Sequence, residues 1–126
     1  MTKRVLLVGI DPATIDFTHP DYARFASLDA ARVRESLEND VSRLEQLGYK
    51  PSLCLAAVEA LPSIVQHRLE VDTYDCILIG AGVRVIPHNF TVFEQLVNVV
   101  HQRAPHAKIC FNTGPHDSTE AVQRWI

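Results

Sequence analysis

The sequence YDCILIGAGVRVIP, residues 74–87, indicates the fold of this chain. An unbroken apolar run at residues 76–79 ends at the glycine-rich residues 80–82, and Arg84 follows directly. Such a run is typical of a strand that is covered on both faces, as in a parallel sheet. The segment therefore predicts a buried central strand, a tight glycine turn, and an arginine just beyond the carboxyl end of the strand.

Strand-like and helix-like segments alternate along the rest of the chain. Apolar runs at residues 3–9, 51–56 and 107–112 predict three more strands, and amphipathic segments between them predict helices. Alternating strands and helices form a parallel sheet with right-handed crossovers. We predict one α/β domain over residues 1–126, with an open four-stranded parallel sheet in the order 2-1-3-4 and helices on both faces. This three-layer layout resembles flavodoxins and response-regulator receivers without their fifth strand.

Composition argues against several classes of partner. The formal net charge is -3 and no Lys/Arg cluster is present, whereas nucleic-acid binding needs a basic surface. No apolar run approaches the roughly 20 residues that span a bilayer. Cys54, Cys76 and Cys110 lie far apart in apolar runs, which predicts buried thiols in a reducing compartment. We therefore expect no nucleic-acid partner, no membrane partner and a cytoplasmic location.

Candidate functional residues collect at one edge of the predicted sheet. In open α/β sheets, ligands bind outside the carboxyl ends of the strands, where the strand order reverses. Here this crevice lies between the loops at residues 10–26, 80–89 and 113–117, and a connection as long as the first is usually functional. The candidates are Asp11 and His116 as catalytic groups, and Gly80, Gly82, Arg84, Asn112 and Thr113 as ligand-binding residues.

The expected ligand is a small anion. Arg84 offers a guanidinium fork that matches a carboxylate or phosphate, and backbone N–H groups at residues 80–82 and at the start of the last helix would hold negative charge. Asp11 or His116 would then transfer a proton. We expect a small-molecule enzyme or binding protein of unknown cofactor, in which Arg84→Ala abolishes ligand binding and barely changes the melting temperature. The structural alternative is that Asp11 caps a turn and Asp117 caps the last helix, and for Asp117 we favour that alternative.

A metal site is the other interpretation of the same loops. His19, His88 and His116, with Asp11, would supply three or four ligands from separate loops. No H-x-x-x-H, H-x-H or C-x-x-C pattern occurs, so the spacing does not favour a metal, and we predict none.

Two known phosphate chemistries do not fit the sequence. Residues 80–82 begin a G-x-G-x-x-G pattern, but Val85 takes the place of the third glycine and the pattern follows the third strand. In a receiver, the phosphoacceptor aspartate ends the third strand, and Gly80 stands there. We therefore expect neither dinucleotide binding nor receiver-type phosphotransfer.

The predicted helix at residues 90–103 carries two apolar stripes, and a helix on an open sheet needs only one. The second stripe packs against a neighbouring helix or forms a subunit interface. Because the edge strand at residues 109–111 also needs cover, we predict a homo-oligomer through residues 90–103. The alternative function is accordingly a non-catalytic, receiver-like homo-oligomeric interaction module.

The chain also resembles a family of small, uncharacterised α/β proteins. The shared features are GAGVR at residues 80–84 and the ICFNT…AVQRW ending at residues 109–125. The resemblance implies the same fold and a role for residues 80–84, and it brings no activity with it.

Overall fold

The computed structural model describes residues 2–25 and 27–126. Position 1, which begins the predicted domain, and position 26, which ends the predicted first loop, lie outside the described part. The strands are β1 (Arg4–Ile10), β2 (Lys50–Ala56), β3 (Cys76–Ile79) and β4 (Lys108–Phe111). The helices are α1 (Ala30–Gln46), α2 (Leu61–Val71), α3 (Ala81–Arg84), α4 (Phe90–Arg103) and α5 (Ser118–Gln123), with 3-10 turns at Pro12–Thr14, Pro20–Phe25, Val58–Ala60 and Pro87–Asn89. No helix in the described part is long and apolar enough to cross a membrane.

The strands form one parallel sheet in the order β2-β1-β3-β4, which confirms the predicted fold class and strand order. Alternation along β1 explains its unbroken apolar run. Leu6 and Val8 belong to a core cluster completed by α2 and α4, whereas Val5 and Leu7 belong to a second cluster completed by α1 and α5. Both faces of the sheet are therefore buried under helices, as a parallel sheet requires.

Gly80 directly follows β3, at a point where the chain passes very close to β1. Its N–H donates to the carbonyl oxygen of Val8 at 2.9 Å, and a Cβ at this position would lie 3.3 Å from that oxygen. A glycine is thus favoured by close backbone packing. The predicted turn at residues 80–82 does not form as a separate element, because Ala81 and Gly82 are the first two residues of the short helix α3.

Most of the apolar side chains of α4 pack against the core of the same chain. Leu96 and Val100 are fully buried. Four more apolar residues of the helix are partly buried against the same core cluster: Val92, Phe93, Val97 and Val99. Phe90, by contrast, is 61% exposed. The second stripe therefore packs within the chain, and the predicted homo-oligomer through residues 90–103 remains a prediction.

The three cysteines are buried free thiols. Cys76 and Cys110 lie on neighbouring strands with their Sγ atoms 3.4 Å apart. Burial raises the pKa of the Cys54 thiol, and contact with Cys76 together with burial raises the pKa of Cys110. A nucleophilic thiol needs exposure and a lowered pKa, so the burial and the raised pKa of Cys54 and Cys110 do not suit nucleophilic catalysis.

Candidate functional site

A cavity of about 130 Å³ lies at the carboxyl ends of β1 and β3. We call it the sheet-edge cavity. Its other walls are the β1–α1 connection, the inner face of α1, the segment that contains α3, and the loop after β4. The aromatic part of the lining consists of Phe17, Tyr22 and Phe25. This is the crevice that the strand order predicts, since ligands in such folds bind beyond the carboxyl ends of the strands.

Four of the predicted ligand-binding residues line this cavity: Gly80, Gly82, Asn112 and Thr113. Asn112 is buried and joins two of the walls. Its Oδ1 accepts a hydrogen bond from the N–H of Ala81 at 2.7 Å, and its Nδ2 donates to Ser118 Oγ at 3.0 Å. The amide of Asn112 therefore fixes the start of α3 against the start of α5.

Two of the N–H groups at residues 80–82 are occupied within the chain. Gly80 donates to Val8, and Ala81 donates to Asn112. These two donors are not free, whereas binding of an anion at Gly82 or at the start of the last helix remains a prediction.

Arg84 lies beside the cavity and is not part of its lining. Its Nη2 donates to the carbonyl oxygen of Asn112 at 2.7 Å. Its Nε is buried without a hydrogen-bond partner in the described part of the chain. The guanidinium therefore connects α3 to the end of β4, and its binding of an anion remains a prediction.

Asp11 and His116, the predicted proton-transfer groups, line neither of the two cavities described in this section. Asp11 Oδ1 accepts hydrogen bonds from the N–H of Ala13 at 3.0 Å and from Arg34 Nη2 at 2.9 Å. His116 is exposed and lies against Gly114. Asp11 thus caps a turn, which was the structural alternative to a catalytic role. It also forms an ion pair with Arg34 of α1.

Asp117 occupies the position before α5, but its carboxylate does not cap that helix. The carboxylate turns back and accepts hydrogen bonds from the N–H of Thr113 at 2.9 Å, from its Oγ1 at 2.6 Å, and from the N–H of Gly114 at 3.3 Å. Burial acts to raise the pKa of Asp117, but these hydrogen bonds outweigh it and lower the pKa. The predicted side-chain cap is therefore wrong, because the carboxylate closes the cavity loop instead.

Asp40 is the site residue that the sequence reasoning missed. It is only 4% exposed and is the one carboxyl group in the lining of the sheet-edge cavity, in which the described residues include no Lys, Arg or His. Burial raises its pKa, while a hydrogen bond from Ser118 and the charge of Arg43 act in the opposite direction. The signal was present in the helical spacing, since Asp40 stands between Leu37 and Leu44 at core-facing intervals.

A second cavity, of about 160 Å³, lies next to the first. The two share three lining residues, Ile10, Ile15 and Tyr22. We call the second one the histidine cavity, because His19 and His88 line it. Its lining also includes two carboxylates, those of Asp16 and Glu59.

Asp21 connects the two histidines of this cavity. His88 Nδ1 lies 2.6 Å from Asp21 Oδ2, and the N–H of His88 donates to the same oxygen at 3.2 Å. The N–H of Asp21 donates to His19 Nδ1 at 3.0 Å, and the two imidazole rings are 4.5 Å apart between centroids. The hydrogen bond from His88 is the main reason that the pKa of Asp21 is lowered.

Of the four metal ligands that the sequence suggested, the structure brings together only His19 and His88. The third member of the group is Asp21, and one ligand atom from each of the three residues lies within 4.8 Å of the others. Asp11 and His116 do not belong to this group.

Comparison of the chain with known protein families, with curated proteins and with solved structures finds no match. What bears on function is therefore the geometry and chemistry of the two cavities.

Proposed function

We propose that this protein binds a small, largely apolar molecule in the sheet-edge cavity, with a basic nitrogen of that molecule paired to Asp40. The observation that carries the proposal is a buried carboxyl group in a largely apolar cavity at the carboxyl ends of the strands. Pockets with apolar walls and a few convergent polar groups are the usual form of small-molecule sites.

The size of the cavity limits the size of the ligand. An apolar cavity of roughly 150 Å³ accommodates benzene, and the sheet-edge cavity is about 130 Å³. The cavity therefore limits the enclosed part of a ligand to about one small ring or a short branched chain, and the rest of a molecule such as benzylamine would extend through the opening. Three lining residues, Gly82, Thr113 and Pro115, are exposed, so the cavity reaches the surface beside α3.

The charge of the lining favours a basic ligand. A buried carboxyl group is stabilised in its ionised form by a cation within a few ångströms, and a ligand amine would supply that cation. An anionic ligand, which the sequence suggested, would meet Asp40 and no positive side chain in this lining. A carboxyl group with a raised pKa is also a suitable proton donor or acceptor. Acid–base chemistry on a bound molecule would therefore fall to Asp40 in place of Asp11 and His116.

The alternative of a homo-oligomeric interaction module has less support. The second stripe of α4 packs against the core of its own chain, and Phe90 is the exposed large apolar side chain of that helix. A single exposed phenylalanine is common on monomer surfaces.

Three probes of similar size test the proposal: benzylamine, benzyl alcohol and benzoate. Each is titrated into the 15N-labelled protein and followed by amide chemical shifts. We expect benzylamine to shift residues 80–83 and 112–114, with a Kd in about the millimolar range that suits so small a molecule. Benzyl alcohol should bind more weakly, and benzoate most weakly. Equal shifts by all three probes, or shifts confined to other surfaces, would contradict the proposal.

Two variants locate the binding. Asp40→Asn should weaken benzylamine at least about tenfold and reduce its advantage over benzyl alcohol, since the charge pair is lost. Gly82→Leu adds a side chain at the cavity rim, where a Cβ meets no atom within 4 Å, and should weaken all three probes. Glu38→Gln removes an exposed carboxylate from the same helix and is the matched control. If Glu38→Gln weakens benzylamine as much as Asp40→Asn does, the pairing with Asp40 is wrong.

A further inference from the structure

His19, Asp21 and His88 form a compact cluster from two distant parts of the chain. His19 and Asp21 belong to the β1–α1 connection, and His88 belongs to the 3-10 turn before α4. One nitrogen or oxygen atom from each residue lies within 4.8 Å of the other two. Both imidazoles are exposed, so water or an ion reaches them directly.

The hydrogen bonds of Asp21 set the tautomers of both rings. His88 Nδ1 lies 2.6 Å from Asp21 Oδ2, and a carboxylate accepts, so that this nitrogen carries the proton and Nε2 keeps its lone pair. His19 Nδ1 accepts from the N–H of Asp21, so that its lone pair is directed toward Asp21. These hydrogen bonds hold the Nδ1 atoms of both rings next to the carboxylate of Asp21, so that three potential ligand groups face one another.

We propose that His19, Asp21 and His88 bind a divalent transition-metal ion of the Zn²⁺ type at the edge of the histidine cavity. The Nδ1 atoms of His19 and His88 would both exchange their hydrogen bonds with Asp21 for the ion, the proton of His88 would move to Nε2 through water, and Asp21 would bind through a carboxylate oxygen. His19 Nδ1 and Asp21 Oδ1 are 3.9 Å apart. Ligands of a tetrahedral Zn²⁺ at about 2.0–2.2 Å are roughly 3.3–3.6 Å from one another, and the three ligand atoms lie within 4.8 Å, so they would approach one another by at most about 1.5 Å.

Two imidazoles and one carboxylate select the class of metal. Imidazole suits Zn²⁺, Cu²⁺, Ni²⁺ and Fe²⁺, whereas Mg²⁺ and Ca²⁺ prefer all-oxygen sites. Three protein ligands also leave at least one coordination position for water or another molecule. The adjacent cavity of about 160 Å³ provides the room for it.

The charge around the cluster favours a cation. Asp16 and Glu59 line the same cavity, and no Lys or Arg of the described chain does so. A cleft with acidic walls concentrates cations from solution. The proposal is independent of the ligand proposed for the sheet-edge cavity, since Asp40 does not line the histidine cavity.

Calorimetric titration of the chelator-treated full chain with ZnCl₂ tests the proposal. We expect one Zn²⁺ per chain with a Kd of roughly 10 µM or tighter, and no measurable heat with MgCl₂. Thermal unfolding should shift upward on addition of ZnCl₂, because a ligand that binds the native state stabilises it. Paramagnetic CoCl₂ or NiCl₂ should broaden the amide signals of residues 17–23 and 86–90 first.

Variants distinguish this site from general binding to surface histidines. His19→Gln, His88→Gln and Asp21→Asn should each weaken Zn²⁺ binding by about 30-fold or more, because each would remove one of the three ligands. His67→Gln and His101→Gln remove exposed histidines on α2 and α4 and should change the Kd less than about twofold, since neither belongs to the cluster. Thermal unfolding without metal verifies that each variant is folded.

The proposal is overturned if wild-type protein shows no saturable binding of ZnCl₂ below about 1 mM. It is equally overturned if the control variants weaken binding as much as the cluster variants do, or if the broadening by CoCl₂ lies elsewhere. The thiols should not contribute to Zn²⁺ binding by the folded protein, because Cys54, Cys76 and Cys110 are buried.

Discussion

Arg84 donates a hydrogen bond from Nη2 to the main-chain carbonyl oxygen of Asn112 at 2.7 Å. In the reverse direction, the side-chain Oδ1 of Asn112 accepts from the N–H of Ala81, also at 2.7 Å. The two bonds tie both ends of α3 to the residue that follows β4. The GAGVR segment therefore joins the carboxyl ends of two neighbouring strands at the rim of the sheet-edge cavity.

Arg84→Ala should destabilise the protein. Loss of a charged hydrogen bond to a partly buried carbonyl costs about 1–2 kcal/mol, which lowers the melting temperature of a domain this size by roughly 4–8 °C. The sequence alone led us to expect almost no change. Urea denaturation measures the loss, with Arg103→Ala as the control. Arg103 makes a surface ion pair with Glu70 at 3.8 Å, so its removal should cost less than about 0.5 kcal/mol. An unchanged stability of Arg84→Ala would show that the bond to Asn112 is dispensable.

Asp40→Asn should make the protein more stable at pH 7 than the wild type. Burial raises the pKa of Asp40 in the folded state, so its favourable contribution is complete below the unfolded pKa of about 3.9. That contribution is lost as the pH rises through the folded pKa, because the buried carboxyl must then ionise. The advantage of the Asn variant should therefore shrink as the pH falls from 7 to 3. Denaturation midpoints across this range measure it.

Asp117→Asn should show the opposite dependence of stability on pH, so it serves as the comparison for Asp40→Asn. The folded pKa of Asp117 is lowered, because hydrogen bonds from Thr113 and Gly114 outweigh burial. Its contribution is present above the unfolded pKa and is lost as the pH falls through the folded pKa. The Asn variant should be less stable than the wild type at pH 7 and approach it in acid. Parallel pH trends for Asp40→Asn and Asp117→Asn would contradict the burial argument.

Phe90→Asp and Phe93→Asp should behave differently. Phe93 packs against Phe111 with ring centroids 5.7 Å apart, so a carboxylate there should cost about 2–4 kcal/mol of stability. Phe90 is exposed, and its replacement should change stability by less than about 0.5 kcal/mol. If the predicted homo-oligomer through residues 90–103 forms, Phe90→Asp should dissociate it. Gel filtration at low micromolar concentration decides this, and a monomeric wild type would rule the oligomer out.

The sequence by itself determined the fold. The apolar runs at β1 and β3, and the helical spacing between them, are local patterns that report burial on both faces of a parallel sheet. Chain order and the rules of connection then gave 2-1-3-4, and with it the edge at which a cavity forms. The topology also predicted that Gly80, Gly82, Asn112 and Thr113 lie at this edge, and they line the cavity there, while their binding of a ligand remains a prediction.

Only the tertiary structure decided which side chains meet. The sequence does not reveal the hydrogen bond of Arg84, because the carbonyl that accepts it lies 28 residues away. Asp21 and His88 are 67 residues apart and form a hydrogen bond only because two loops converge. Asp40 looked like one of many helical acids until the burial of its face was known. Side-chain contacts and pKa values depend on the path of the whole chain, whereas hydrophobic periodicity can be recognised within about a dozen consecutive residues.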